Sequence, residues 1–175
     1  MSVELVLTIL SRDHPGIVEA LADTVTAHSG NWIESSMARL GGEFAGILRV
    51  SAPKENIESL VEALKGLSES DIEVTVHRDR SAPPQGGHKV KLSLTGLDHP
   101  GIVLEVSRAL AGFDANIEEL HTESFTGSMG GEAMFSVDAQ IVLPDTLDTD
   151  EVRTVLEQIA HDIMVDIELE ETAES

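Results

Sequence analysis

The chain of 175 residues carries 32 Asp and Glu against 11 Lys and Arg, a formal net charge of −21, and no cysteine. The missing cysteine excludes disulfides, thiolate metal sites and a cysteine nucleophile. Residues 1–80 hold 13 acids to 7 Lys/Arg and residues 81–175 hold 19 to 4, so no basic cluster exists for phosphate contacts and direct nucleic-acid binding is disfavoured.

Residues 1–10 lack the basic start and continuous apolar core of a signal peptide, and no apolar run approaches membrane-spanning length. A cytoplasmic protein without a membrane partner is expected. Val3, Leu5, Leu7 and Ile9 alternate over residues 1–11 and predict a strand, with Val6 and Leu10 also apolar as in a central position. It runs into Asp13-His14-Pro15-Gly16-Ile17-Val18. A helix is predicted from Pro15 to about Ser29, with Ile17, Ala20, Leu21, Val25 and His28 on one face. Pro15 takes its first position and Gly30 ends it.

Residues 31–40 and 43–51 predict two strands joined at Gly41-Gly42, a hairpin dipeptide. The first alternates poorly, as suits an edge or an interface. A helix over about 55–67 on Ile57, Leu60, Val61, Leu64 and Leu67, then a strand over 71–77, complete the unit. Residues 81–87, Ser-Ala-Pro-Pro-Gln-Gly-Gly, have linker composition. The same order then restarts. Val90, Leu92 and Leu94 precede Asp98-His99-Pro100-Gly101-Ile102-Val103, a helix over about 100–113, and strands over 116–125 and 133–143. A helix over about 149–161 and a strand through Val165, Ile167 and Leu169 follow, and 171–175 is a solvated acidic tail. The fold class is α+β: two ferredoxin-like βαββαβ units, 1–80 and 88–170, with antiparallel sheets and both helices on one face. The units are expected to pack on each other, with further association into a homodimer.

The duplicated turn is the candidate site. Glycine after proline leaves no side chain over the helix start, so the N–H groups of Gly16, Ile17 and Val18 lie open beside the positive end of the helix dipole. Such an end attracts a carboxylate, and Asp13 beside it suits a cation. An amino-acid zwitterion carries that pair of charges. The repeat continues past the turn: Asn31 stands eighteen residues after Asp13 and Asn116 eighteen after Asp98, each opening a strand-like run. Seven histidines offer no metal-ligand spacing, no serine sits in a nucleophile elbow, and the glycines of 127–131 form no phosphate loop. Neither an enzyme nor a cofactor is indicated.

Two copies of Asp-His-Pro-Gly-Ile-Val, each after a strand and each followed by that asparagine, resemble a pair of ACT domains. The stretch Asn31-Trp32-Ile33-Glu34-Ser35-Ser36, with Leu40-Gly41-Gly42-Glu43-Phe44, is most similar to stand-alone two-domain regulators of that family. The resemblance implies binding of glycine or a similar small amino acid at a domain interface, between the motif turn of one unit and strands of another. It also implies action through a protein partner such as a transcriptional activator. By position, Asp13 and Asp98 would take the ammonium, and the amides at Gly16, Ile17, Gly101 and Ile102 the carboxylate. His14 and His99 belong to the same turns, and Asn31 and Asn116 would add a second polar contact. The usual Asn-Ile pair appears as Asn31-Trp32 in the first unit and is kept as Asn116-Ile117 in the second. An allosteric subunit of a metabolic enzyme and a ligand-free dimerisation module are the other readings.

Overall fold

Apolar residues at every second position build the strands, and apolar residues every third or fourth build the helices. The structure of the protein, a computed structural model, describes residues 1–79 and 86–172. It divides into two units, Met1–Ser81 and Ala82–Ser175. The first contains β1 (Ser2–Arg12), α1 (Ile17–Ala27), β2 (Asn31–Leu40), β3 (Glu43–Pro53), α2 (Ile57–Gly66) and β4 (Ile72–Arg78). The second contains β5 (Gly87–Leu97), α3 (Ile102–Gly112), β6 (Asn116–Thr126), β7 (Ala133–Pro144), α4 (Thr149–Ile163) and β8 (Val165–Glu171). The sheets have the order β2-β3-β1-β4 and β6-β7-β5-β8, with every ladder antiparallel. Each unit is therefore the expected α+β, ferredoxin-like βαββαβ arrangement.

One face of each sheet holds the core. Leu5, Leu7 and Ile9 of β1 cluster with Ile17, Leu21 and Val25 of α1 and with Leu60 and Leu64 of α2, so both helices cover the same strand face. Val90, Leu92 and Leu94 do the same with Ile102, Val106 and Leu110 of α3 and Val152 and Leu156 of α4. Full burial of each such side chain contributes about 1.5–3 kcal/mol. The opposite face is open: Leu10 and Ile47 are exposed in the first unit, and Lys91 and Asp138 in the second. The poorly alternating β2 and its counterpart β6 are edge strands, exposed along most of their length.

Several local expectations change. Pro15 and Pro100 do not open the helices, which begin at Ile17 and Ile102 with Gly16 and Gly101 as caps at φ 95 and φ 99. The chain reverses from strand to helix through a left-handed residue, a conformation glycine adopts without strain. Gly30 does not supply the helix stop either, because the left-handed residue after α1 is Ser29, φ 57, and its counterpart is Asp114, φ 53. Gly30 is needed for space instead: a Cβ there would lie 2.8 Å from Val25 Cγ1 and 2.8 Å from Val25 O. The helix expected over 55–67 is α2 between two 3-10 turns, Lys54–Asn56 and Leu67–Ser70. Of the linker 81–87, residues 81–85 lie outside the described residues and Gly87 already belongs to β5. Of the tail 171–175, Glu171 ends β8, Thr172 N–H donates to Lys89 O at 3.0 Å, and 173–175 lie outside.

Candidate functional site

The two motif turns share one backbone. Asp13 N–H donates to Gly42 O at 2.9 Å and Asp98 N–H to Ala133 O at 2.8 Å, which pins each aspartate against the tip of the neighbouring hairpin. The first helical bonds run from Ala20 N–H to Gly16 O at 2.9 Å and from Glu105 N–H to Gly101 O at 3.0 Å. Neither cap makes a side-chain hydrogen bond. The N–H groups of Gly16, Ile17, Val18 and Glu19, and of Gly101, Ile102, Val103 and Leu104, therefore have no intrahelical acceptor. The side chains of Ile17 and Ile102 are buried while their turns are exposed, so these residues offer backbone alone. Glu19 and Glu105 occupy the first helical turns and share the dipole field with any bound anion.

Each motif histidine folds over its own turn. His14 Nδ1 lies 3.0 Å from Pro15 O and His99 Nδ1 3.1 Å from Pro100 O. A carbonyl only accepts, so the ring nitrogen is the donor in any hydrogen bond here, and a neutral imidazole, with its one N–H, donates from one nitrogen at a time. His99 does more: its Nε2 lies 3.0 Å from Ile163 O, which ties the second turn to the last residue of α4.

The aspartates differ in what they meet. Asp13 Oδ2 lies 2.5 Å from Arg39 Nε, whereas Asp98 Oδ2 accepts from Ser124 Oγ at 2.8 Å. Arg39 and Ser124 hold equivalent places, opposite Phe44 and Phe135 in the hairpin registers. Both were missed in the sequence. A signal existed, since each stands 26 residues after its aspartate.

Asn31 and Asn116 are not brought to the turns of their own units. Asn31 pairs with Ser51 and Asn116 with Val142, nine residues along β3 and β7 from Gly42 and Ala133, where the aspartates are held. At ~3.4 Å per residue the separation is about 30 Å. A single small ligand cannot touch both within a unit. Beside Asn116, Lys89 Nζ lies 2.8 Å from Glu118 Oε2, and that hydrogen bond holds the lysine above its usual pKa. Ile117 and its counterpart Trp32 also differ in use. Trp32 packs on the first core and donates from Nε1 to Ser35 Oγ at 3.2 Å. In the second unit an apolar pocket of about 50 Å³ opens between α3 and β6, lined by Val103, Val106, Leu110, Ile117, Leu120 and Ala139.

The remaining polar clusters read as structural. His28 caps α1, with Nδ1 2.8 Å from Thr24 O. His88 Nε2 donates to Thr149 Oγ1 at 2.9 Å and that hydroxyl donates to Glu171 Oε1 at 2.9 Å, fastening β5, α4 and β8 together. Among the described residues no group of three His, Asp or Glu side chains gathers as a metal ion requires. No helix among them is long and apolar enough to cross a membrane.

Fold and turn together define the class: a tandem ferredoxin-like protein with an open-amide turn after the first strand of each unit. Residues 4–79 match the ACT domain family, and the second unit repeats their sheet order and their motif. The first unit belongs to the ACT domain family, and the second shares its fold. It aligns with the crystal structure of an unknown protein from Galdieria sulphuraria at 30% identity, over 99% of this chain and 100% of that one, with a TM-score of 0.88. It also aligns with a structure described as that of a "putative glycine cleavage system transcriptional repressor", at 18% identity over 99% of each chain and a TM-score of 0.73. That second likeness is one of fold. Among curated proteins, none matches.

Proposed function

We propose that the protein is an amino-acid-sensing regulator without catalytic activity, a co-regulator of the glycine cleavage repressor type that acts through a protein partner and not through DNA. The observation that carries this reading is the second motif turn. Four N–H groups without intrahelical acceptors stand beside Asp98, which makes no ion pair among the described residues. A carboxylate held by helix N-terminal amides and an ammonium held by an aspartate is recognition of an α-amino acid. The ACT family membership and the fold shared with a repressor-described protein support regulation as the use of that binding. The acidic surface supports an indirect role in transcription, because its 11 Lys and Arg against 32 acids form no cluster to neutralise phosphates. The protein would work in the cytoplasm, as a homodimer in which Asn31 or Asn116 completes a site on another unit.

Calorimetric titration with glycine, serine and the branched-chain amino acids tests the site. Asp98→Ala should weaken binding about ten- to a hundredfold, the loss expected when a charged group forfeits its hydrogen bond at about 1.5–3 kcal/mol. The melting temperature should hardly move, because Asp98 is exposed. Unchanged binding by the variant would place the site elsewhere, and absence of binding to any amino acid at millimolar concentration would leave the dimerisation module. Affinity capture of the native partner from cell extract, with and without the bound amino acid, tests the regulatory half.

A further inference from the structure

We infer that the residue 26 positions after the motif aspartate decides which unit takes an amino acid, and that the chain binds one, at the second turn. The inference rests on the amino-acid reading above. The two turns present the same open amides and the same left-handed glycine, so the backbone does not distinguish them. The side chain facing the aspartate does. In the first unit Arg39 Nε, 2.5 Å from Asp13 Oδ2, stands where the ligand ammonium would stand. The chain supplies its own cation there. An incoming ammonium must displace the guanidinium and then remain beside its positive charge, so two opposing terms fall on the ligand. In the second unit Ser124 Oγ, 2.8 Å from Asp98 Oδ2, orients the carboxylate with a neutral hydroxyl, and among the described residues no cation pairs with it.

An ion pair as exposed as this one, with the Arg39 side chain 67% accessible, is weak in itself. Its effect comes from the like charge left next to the ammonium, which in the second unit is absent. Register makes the two positions interchangeable, since Arg39 faces Phe44 and Ser124 faces Phe135 across equivalent hairpins. Both are exposed, so exchanging them does not disturb either core.

Calorimetric titration of wild type, Arg39→Ser, Arg39→Lys and Ser124→Arg with glycine, serine and valine, at low salt and at about 0.15 M, reads the outcome as stoichiometry and affinity. Wild type should bind one amino acid per chain. Arg39→Ser should bind two, Arg39→Lys one, and Ser124→Arg should be weakened about tenfold or more. Melting curves should overlay for all four. Two equal sites in wild type, no added site in Arg39→Ser, or a site indifferent to Ser124→Arg would overturn the inference and leave amino-acid binding standing. No binding by either wild type or Arg39→Ser would remove the amino-acid reading itself, and the inference with it.

Discussion

Alanine in place of Gly16 and alanine in place of Gly66 should change stability in opposite directions, although neither new methyl meets an atom within 4 Å. With contacts equal, only the backbone decides. Gly16 caps α1 at φ 95, and an L-residue held in such a region costs about 1–3 kcal/mol. The value lies beyond the left-handed minimum near φ +57°, which argues for the upper half of that range. Loss of freedom in the unfolded chain offsets about 0.4–1 kcal/mol, leaving a net destabilisation of about 1–2.6 kcal/mol. Gly66 ends α2 at φ −63, a helical value any residue adopts, so alanine there keeps the offset without the strain and should stabilise by about 0.4–1 kcal/mol. The chain's one tryptophan, Trp32, packs on the first core, so its fluorescence reports unfolding of that unit during a urea titration or a melt. For a unit of this size 1 kcal/mol corresponds to about 4–8 °C in melting temperature. Gly16→Asn should lose less than Gly16→Ala, because asparagine visits the left-handed region more readily. Equal signs for Gly16→Ala and Gly66→Ala would refute the left-handed cap as the reason for glycine at the motif.

In the second unit, Gly96→Ala should destabilise by about 1–3 kcal/mol by overpacking, since the new Cβ would lie 2.5 Å from Val165 Cγ1 and 2.9 Å from its Cα; circular dichroism in urea measures it. Thr149→Val should cost about 1 kcal/mol in the same experiment, because His88 and Glu171 lose the hydroxyl that joins them but regain part of their hydrogen bonding from water. In a gel-shift assay at about 0.15 M salt the purified protein should leave duplex DNA unshifted. A sequence-specific shift without any partner would remove the partner-mediated reading.

Period-two strands, helical faces and the repeated turn were legible because each is a local pattern, written within ten or so residues. Pro15 misled at the helix start because proline is compatible both with a first helical position and with the position before a left-handed cap. The presence of glycine next to it is consistent with either geometry, and only φ separates them. Asn31 misled for a different reason. Its distance of eighteen residues from Asp13 looks short in sequence, but those residues include α1, which carries the chain back to the other end of the sheet before β2 begins. Arg39 and Ser124 were hidden by their dissimilarity. Two copies of a motif draw attention to identical residues, whereas the difference inferred between the copies resides where equivalent positions differ. Aligning the halves on their aspartates and reading the mismatches brings position +26 forward, and its register across the hairpin then gives the mismatch a location.

The uneven acidity narrows the ligand further than the turn alone. An anion bound at the amides of α3 sits near Asp98 and Glu105, in the half of the chain that carries 19 acids against 4 Lys and Arg. A surface so charged holds a potential of several kT that falls off over ~8 Å at physiological ionic strength. A bare carboxylate, such as a 2-oxo acid, is repelled by that field and gains only the amides. A dicarboxylic amino acid gains Asp98 for its ammonium but carries a net negative charge into the same field. A neutral zwitterion escapes the net repulsion, and it aligns within the field with its ammonium toward Asp98 and its carboxylate at the helix end. On the proposed amino-acid reading, charge and geometry therefore favour the same ligands, glycine, serine or an aliphatic amino acid, over the acidic ones, by an amount that salt should diminish. The same field disfavours nucleic acid, so one feature of composition both limits what the turn can hold and accords with the proposed action through another protein.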